Sequence, residues 1–256
     1  MAFASVLLMS VANAQEYRIA KNSGRLELNI GRIVVEGHNG NDIVFTSISG
    51  ENEKDPRAEG LRPVNSLGLS DNTGLGINVT EQGGIIKVQQ LKQTDVPDIK
   101  VLVPKNLIVS FKYASQYGGE VHFKNMSNEI EVDAQYNSIE LENVTGPMTV
   151  KTIYGHVNAR MDGTIRGPIS IVSIYGYVDL TIASDTKANL RMSTSYGEIL
   201  ADPAFKIEIE KQGEMVRYTD KISGKINGGG TPIDLSCNYG KVYLRTAKSS
   251  NTSKPK

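Results

Sequence analysis

One dipeptide constrains this chain more than any other feature. Tyr-Gly occurs at Tyr117-Gly118, Tyr154-Gly155, Tyr175-Gly176, Tyr196-Gly197 and Tyr239-Gly240, with Tyr136-Asn137 as a variant. Successive tyrosines lie 19, 18, 21, 21 and 43 residues apart, so the last gap spans two periods. A fixed period of this length marks a chain that folds by stacking copies of one small unit. Asn is the usual stand-in for Gly where the backbone needs positive φ, so the variant points to a special turn or bulge at this mark.

The flanks repeat with the dipeptide. Upstream, apolar or small residues stand two, four and six places back: Ile130, Val132, Ala134; Met148, Val150, Thr152; Ile169, Ile171, Ser173; Leu190, Met192, Thr194; Ile233, Leu235, Cys237. Downstream they stand three and five places on: Ile139, Leu141; Val157, Ala159; Val178, Leu180; Ile199, Ala201; Val242, Leu244. Alternation with period two is the pattern of a half-buried strand. The step from Ser173 to Val178 is odd, so the inward phase flips across Tyr-Gly, and a corner belongs at the glycine. No segment repeats apolar residues at the three-and-four spacing of a helix.

The N-terminal third follows the template more loosely. Leu26, Leu28, Ile30-Gly31, Ile33 and Val35 fit it with Ile30 in the tyrosine place, close to four periods before Tyr117. Strand-like runs follow at 43–45, 77–79, 85–88 and 99–103. Two excursions interrupt the repeat: a polar loop over 50–76, and a hairpin within 203–230 running through Phe205 to Glu210 and Met215 to Tyr218. The tail 248–256 is rich in Ser, Lys and Asn with one Pro, the composition of a disordered end.

Two short strands cannot bury an apolar face alone, whereas stacked coils close a continuous core. The predicted fold is all-β: a single-domain parallel β-solenoid over 15–247, right-handed by the preference of parallel crossovers. A β-sandwich or β-prism is the alternative, disfavoured because a meander does not require identical corners.

Residues 1–14 read as a signal peptide, an apolar run closed by Ala12-Asn13-Ala14. No Cys follows to carry a lipid, and no later stretch is apolar enough for a transmembrane helix, so the product is expected outside the cytoplasm. Lys+Arg and Asp+Glu both number 28, and this zero formal charge argues against nucleic acid as a partner.

Chemistry-bearing constellations are sparse. His38, His122 and His156 are scattered, which predicts no metal and no cofactor. The lone Cys237 falls in the inward small-residue file with Ala134, Thr152, Ser173 and Thr194, as a buried residue rather than a nucleophile. A polysaccharide lyase or hydrolase on a β-helix needs carboxylates converging on one face, but Asp133, Asp179 and Asp234 do not share one ladder position. Tyr117, Tyr136, Tyr154, Tyr175, Tyr196 and Tyr239 form a ladder with two readings. Stacked rings would stabilise the solenoid. An exposed row would grip a glycan or a partner surface.

The runs Gly31-Arg32-Ile33-Val34-Val35-Glu36-Gly37 and Ile99-Lys100-Val101-Leu102-Val103-Pro104, with the ladder SIYGYV, TIYGHV and TSYGEI, carry a family likeness. From Glu16 to Thr246 the chain resembles the bacterial putative-adhesin domains, β-strand-repeat proteins of unknown function. The resemblance implies an exported β-solenoid, periplasmic, surface-bound or secreted, with an adhesive or envelope-scaffold role and no catalytic residues. The expected partners are a surface protein or glycan, and a rod of stacked coils can also associate with another copy through the solenoid ends. The alternative is a carbohydrate-active β-helix enzyme.

Overall fold

The computed structural model describes residues 15–48, 57, 59–61, 68–94, 97–161, 163–210 and 220–247. The signal segment 1–14, the tail 248–256, much of the 50–76 excursion and the Met215 to Tyr218 arm lie outside the described residues. Within them, alternation does what the repeat requires. Each coil contributes one strand before its corner and one after it, and the two strands enter different sheets.

Four regular coils show the pattern: β10 (Ile130–Ala134) with β11 (Ile139–Val144), β12 (Met148–Thr152) with β13 (Val157–Met161), β14 (Ile169–Ser173) with β15 (Val178–Ile182), and β20 (Thr231–Cys237) with β21 (Val242–Thr246). Strands pair in parallel and in register, Ile130↔Met148, Met148↔Ile169 and Ile169↔Ile233 in one sheet, Ile139↔Val157, Val157↔Val178 and Val178↔Val242 in the other. Equivalent inward side chains therefore stack in files, and all of these residues are buried. The parallel ladder is that of a β-solenoid, flattened into two facing sheets, and not of an antiparallel sandwich.

Two features depart from the sequence reading. The first is coil order. The coil of Tyr196, β16 (Ala188–Thr194) with β17 (Ile199–Ala201), does not stack on the coil of Tyr175. The later coil β20–β21 lies between them: β20 pairs with β14 on one side and β16 on the other, and β21 pairs with β15 and β17. The 43-residue gap thus hides a return, made through β18 (Ile207–Ile209) and the antiparallel β19 (Asp220–Ile226). β18 and β19 pair antiparallel inside the 203–230 excursion, and the predicted second arm, Met215 to Tyr218, lies outside the described residues.

The same device operates at the other end. β2 (Ser23–Asn29) and β3 (Ile33–His38) form the first coil of the chain. They lie between the coil of β6 (Ile85–Gln90) and β7 (Ile99–Pro104) and the coil of β8 (Asn106–Tyr113) and β9 (Val121–Met126). Both terminal coils are therefore tucked one place inside the stack. The distance of four periods between Ile30 and Tyr117 corresponds to adjacent coils, not to four intervening ones.

The second departure is Ile30. Register places Leu28 opposite Phe111 and Ile33 opposite Val121, so Ile30 occupies the inward small-residue file and is fully buried. It does not hold the tyrosine place. The corner after it is two residues shorter than the regular ones, while the corner between Phe111 and Val121 is three longer. That long corner accommodates Tyr113, which stands opposite Ala134 in the small-residue file, is buried, and receives a 2.8 Å hydrogen bond on its hydroxyl from Gln90 Nε2.

Three of the four sheet ends are finished by reversal. β4 (Ile43–Ser47) runs antiparallel to β7 and carries β1 (Glu16–Ile19), β5 (Ile77–Gln82) runs antiparallel to β6, and β19 runs antiparallel to β16. The fourth sheet end is β17, paired in parallel with β21.

Candidate functional site

The Tyr-Gly corner is built from three parallel files. In the first, each inward hydroxyl or thiol reaches the corner carbonyl of the coil below. Thr152 Oγ1 donates to Asn137 O at 2.9 Å, Ser173 Oγ to Gly155 O at 2.8 Å, Cys237 Sγ to Gly176 O at 3.2 Å and Thr194 Oγ1 to Gly240 O at 3.0 Å. Thr152 Oγ1 and Ser173 Oγ also accept from the amides of Gly155 and Gly176. These four positions combine small size with a donor, which is why Thr, Ser and Cys interchange here, while Ala134 in the same file has no donor. Cys237 is buried, and desolvation pushes its thiol pKa up, keeping it the protonated donor this bond needs.

The second file explains the glycine. A Cβ on Gly155, Gly176, Gly240 or Gly197 would lie 2.5, 2.7, 3.0 or 2.6 Å from the carbonyl carbon of the corner residue below. Glycine is demanded by close approach of backbone to backbone, not by positive φ, which none of the four has. The expected φ role of Asn137 is corrected likewise. The positive-φ asparagines of this region are Asn125 and Asn143, on β9 and β11. Asn137 is fully buried, and its amide donates to Gly31 O at 2.8 Å and Gly119 O at 2.9 Å. It clamps the two irregular corners, over which the inward residues of the next coils, Tyr113 and Ala134, offer no hydroxyl in the Thr/Ser manner.

The third file is the tyrosines. Backbone bonds tie four of them to the neighbouring coil, as in Tyr154 N to Gln135 O at 2.7 Å and Tyr175 N to Ile153 O at 2.9 Å. The rings stack in the order Tyr136, Tyr154, Tyr175, Tyr239, Tyr196, with centroids 4.9, 5.2, 4.8 and 5.1 Å apart and planes within 17°. All five are exposed, from 43 % at Tyr136 to 74 % at Tyr196. The structural and binding readings of the ladder are thus compatible: the rings cover one another's faces and present their phenolic edges to solvent. Tyr117 is exposed too, but the longer corner carries it out of the file, and it has no ring partner among the described residues.

Sequence reasoning missed a second aromatic row beside the first. His156 stacks on Tyr177 at 4.7 Å, Tyr243 meets Tyr177 edge-on at 6.1 Å, and the Arg245 guanidinium lies 5.0 Å from the Tyr243 ring centre. Only the register of β21 against β15 brings Tyr243 to Tyr177 and Arg245 to Asp179, and chain order concealed it. Arg245 Nε contacts both oxygens of Asp179 at 2.9 Å. Burial raises the Asp179 pKa, and the Arg245 hydrogen bond and charge oppose that rise.

The carboxylates weighed for catalysis do not converge. Asp179 is on β15 in one sheet; Asp133 and Asp234, on β10 and β20 in the other, stand opposite Lys151 and Ser170. Asp234 lines a groove of about 350 Å³ with Glu210, Arg191 and Lys225, two carboxylates against two cations. His38 bonds within its own turn, His122 meets Glu120, and His156 meets Ser138 at 3.0 Å. Among the described residues, no three His, Cys, Asp or Glu side chains are grouped to hold a metal.

Stacked coils, glycine corners and an outward tyrosine file define a β-solenoid repeat protein. The Toastrack DUF4097 family profile matches residues 18–245, and the chain belongs to that family, a domain of unknown function. The β-repeat resemblance read from the sequence holds. Among solved structures the chain is similar to a "putative cell adhesion protein" from Clostridium sporogenes, at 11 % identity and a TM-score of 0.46, over 91 % of this chain and 99 % of that one. No curated protein matches. Among the described residues, no helix is long and apolar enough to cross a membrane.

Proposed function

We propose that the protein is an exported, non-enzymatic, adhesin-like scaffold that binds a glycan or a surface protein through the edge of its tyrosine file. The observation that carries this reading is the file itself: five rings in mutual stacking, all exposed, on a corner locked by backbone bonds. A contiguous exposed aromatic strip is costly to leave against water and marks an interaction surface. Stacking holds the rings before a partner arrives, so little side-chain freedom is lost on binding. The partner meets phenol edges and hydroxyls repeated at the coil step, an arrangement suited to a ligand with its own repeat. The adhesion role named for the Clostridium protein is in keeping with this reading.

The test is a glycan and surface-protein array probed with residues 15–256 and with the double variant Tyr154→Ala/Tyr175→Ala. We expect a binding signal that falls at least tenfold in the double variant, about 1.4 kcal/mol or more. An array without any signal, or equal signals from both proteins, would remove the proposal.

A further inference from the structure

The four sheet ends are not treated alike. Three of them are closed by an antiparallel strand: β4 with β1 beyond it, β5, and β19 with β18 beyond it. Among the described residues the fourth ends on β17, three residues long, bonded in parallel to β21 along one edge and to no strand along the other. The core shows the difference. In β21 and β15 the inward residues Val242, Leu244, Val178 and Leu180 are buried, whereas the inward Ile199 and Ala201 of β17 are not. Leu200 is 43 % exposed on the outer face. Beside this strand stands Tyr196, the last ring of the file, stacked on Tyr239 by one face and without a ring on the other among the described residues. An unpaired edge with apolar side chains is a template for another strand unless it is covered.

We propose that a second copy of this chain supplies the missing closure, with β17 pairing antiparallel to β17 of its partner around Leu200. The inference is independent of any glycan binding. Symmetry selects the occupant: a two-fold axis makes the paired strands antiparallel, the sense of the other three closures, and sets Leu200 against Leu200 and Ile199 against Ala201. Asp202 N donates to Leu244 O at 2.8 Å, and Val242 N donates to Glu198 O at 2.9 Å. By the alternation of a ladder, the N–H and C=O of Ile199 and Ala201 then face the open edge. Charge does not oppose the pairing. Glu198 is matched by Lys241 at 2.7 Å, Asp202 accepts from Thr246 Oγ1 at 2.6 Å, and the chain is formally neutral, so copies do not repel at long range. Such an interface is isologous and closes at two subunits, without growth into a filament.

Sedimentation velocity of residues 15–256 between about 1 and 300 µM tests this, with two variants chosen to spare the fold. Ala201→Pro removes an outward donor and leaves the bonds to β21 in place. Leu200→Lys puts a charge on the exposed edge. We expect the wild type to sediment as a dimer, and both variants as monomers over the same range with unchanged β circular dichroism. A wild type that remains monomeric at 300 µM overturns the proposal, whether the edge is left for a foreign strand or covered by the chain itself. So does a dimer that persists in the folded variants. If one variant fails to fold, the other decides.

Discussion

Gly240→Ala is expected to lower the thermal midpoint by roughly 6–12 °C, equivalent to about 3 kcal/mol at the 2–4 °C per kcal/mol of a chain this size. The reason is geometric. A Cβ there would lie 3.0 Å from the carbonyl carbon of Gly176 and 3.0 Å from Cys237 Sγ. Gly176 O is also the acceptor of the Cys237 thiol, so the coils can separate only by breaking that bond. Overpacking against a flexible side chain costs about 1–3 kcal/mol, and here the obstacle is backbone held in two sheets. Gly163→Ala is the control, because nothing lies within 4 Å of a Cβ at that site. Thermal melts followed by circular dichroism read the difference. Equal midpoints for the two variants would mean that the coils are not in backbone contact at the corner.

The second large effect is at Asn137. Asn137→Ala is expected to cost about 2–4 kcal/mol, because Gly119 O loses its amide donor, Gly31 O keeps only the 2.8 Å bond from Gly119 N, and a buried space opens. Asn137→Gly should cost about as much, although it restores the Tyr-Gly dipeptide of the other corners. This is the sharper variant. If Asn137 merely replaced a glycine, the change would be neutral or stabilising; as a clamp on two irregular corners it cannot be replaced that way. Denaturant unfolding gives the magnitude, and amide exchange should show the loss of protection concentrated at Gly119 and Val121.

What could be read from the chain follows from what a parallel ladder records. Inward residues such as Val150, Ile171 and Leu235 declare themselves by alternation, since each must be apolar whichever coil lies next to it. The corner was visible for the same reason: Thr152, Ser173, Cys237 and Thr194 face one constraint, room for a small side chain, but their shared donor role was not legible, since Ala134 satisfies that constraint without one. Coil order was not legible. All regular coils present the same edges, so β20 fits between β14 and β16 as well as it would beyond them. A 43-residue gap reads identically whether two periods are skipped or one is wedged back. The second aromatic row was lost with it, because Tyr243 and Arg245 reach Tyr177 and Asp179 only across the wedged coil. Ile30 was misplaced because shortening a corner by two residues preserves the alternation on both sides and shifts only the mark between them.

The wedged coil underlies the continuous tyrosine file, the second row and the open edge at β17, so its position is the claim to test first. In a Cys237→Ser background, three double-cysteine proteins, Tyr175→Cys/Tyr239→Cys, Tyr239→Cys/Tyr196→Cys and Tyr175→Cys/Tyr196→Cys, are oxidised and scored by non-reducing mass mapping. Neighbouring coils place paired Cα atoms about 4.8 Å apart, within disulfide reach, and alternate coils roughly 9–10 Å apart, beyond it. The first two pairs should close and the third should stay reduced. Closure of Tyr175→Cys/Tyr196→Cys, with the pairs to position 239 left open, would show the coils stacked in simple chain order and contradict the account.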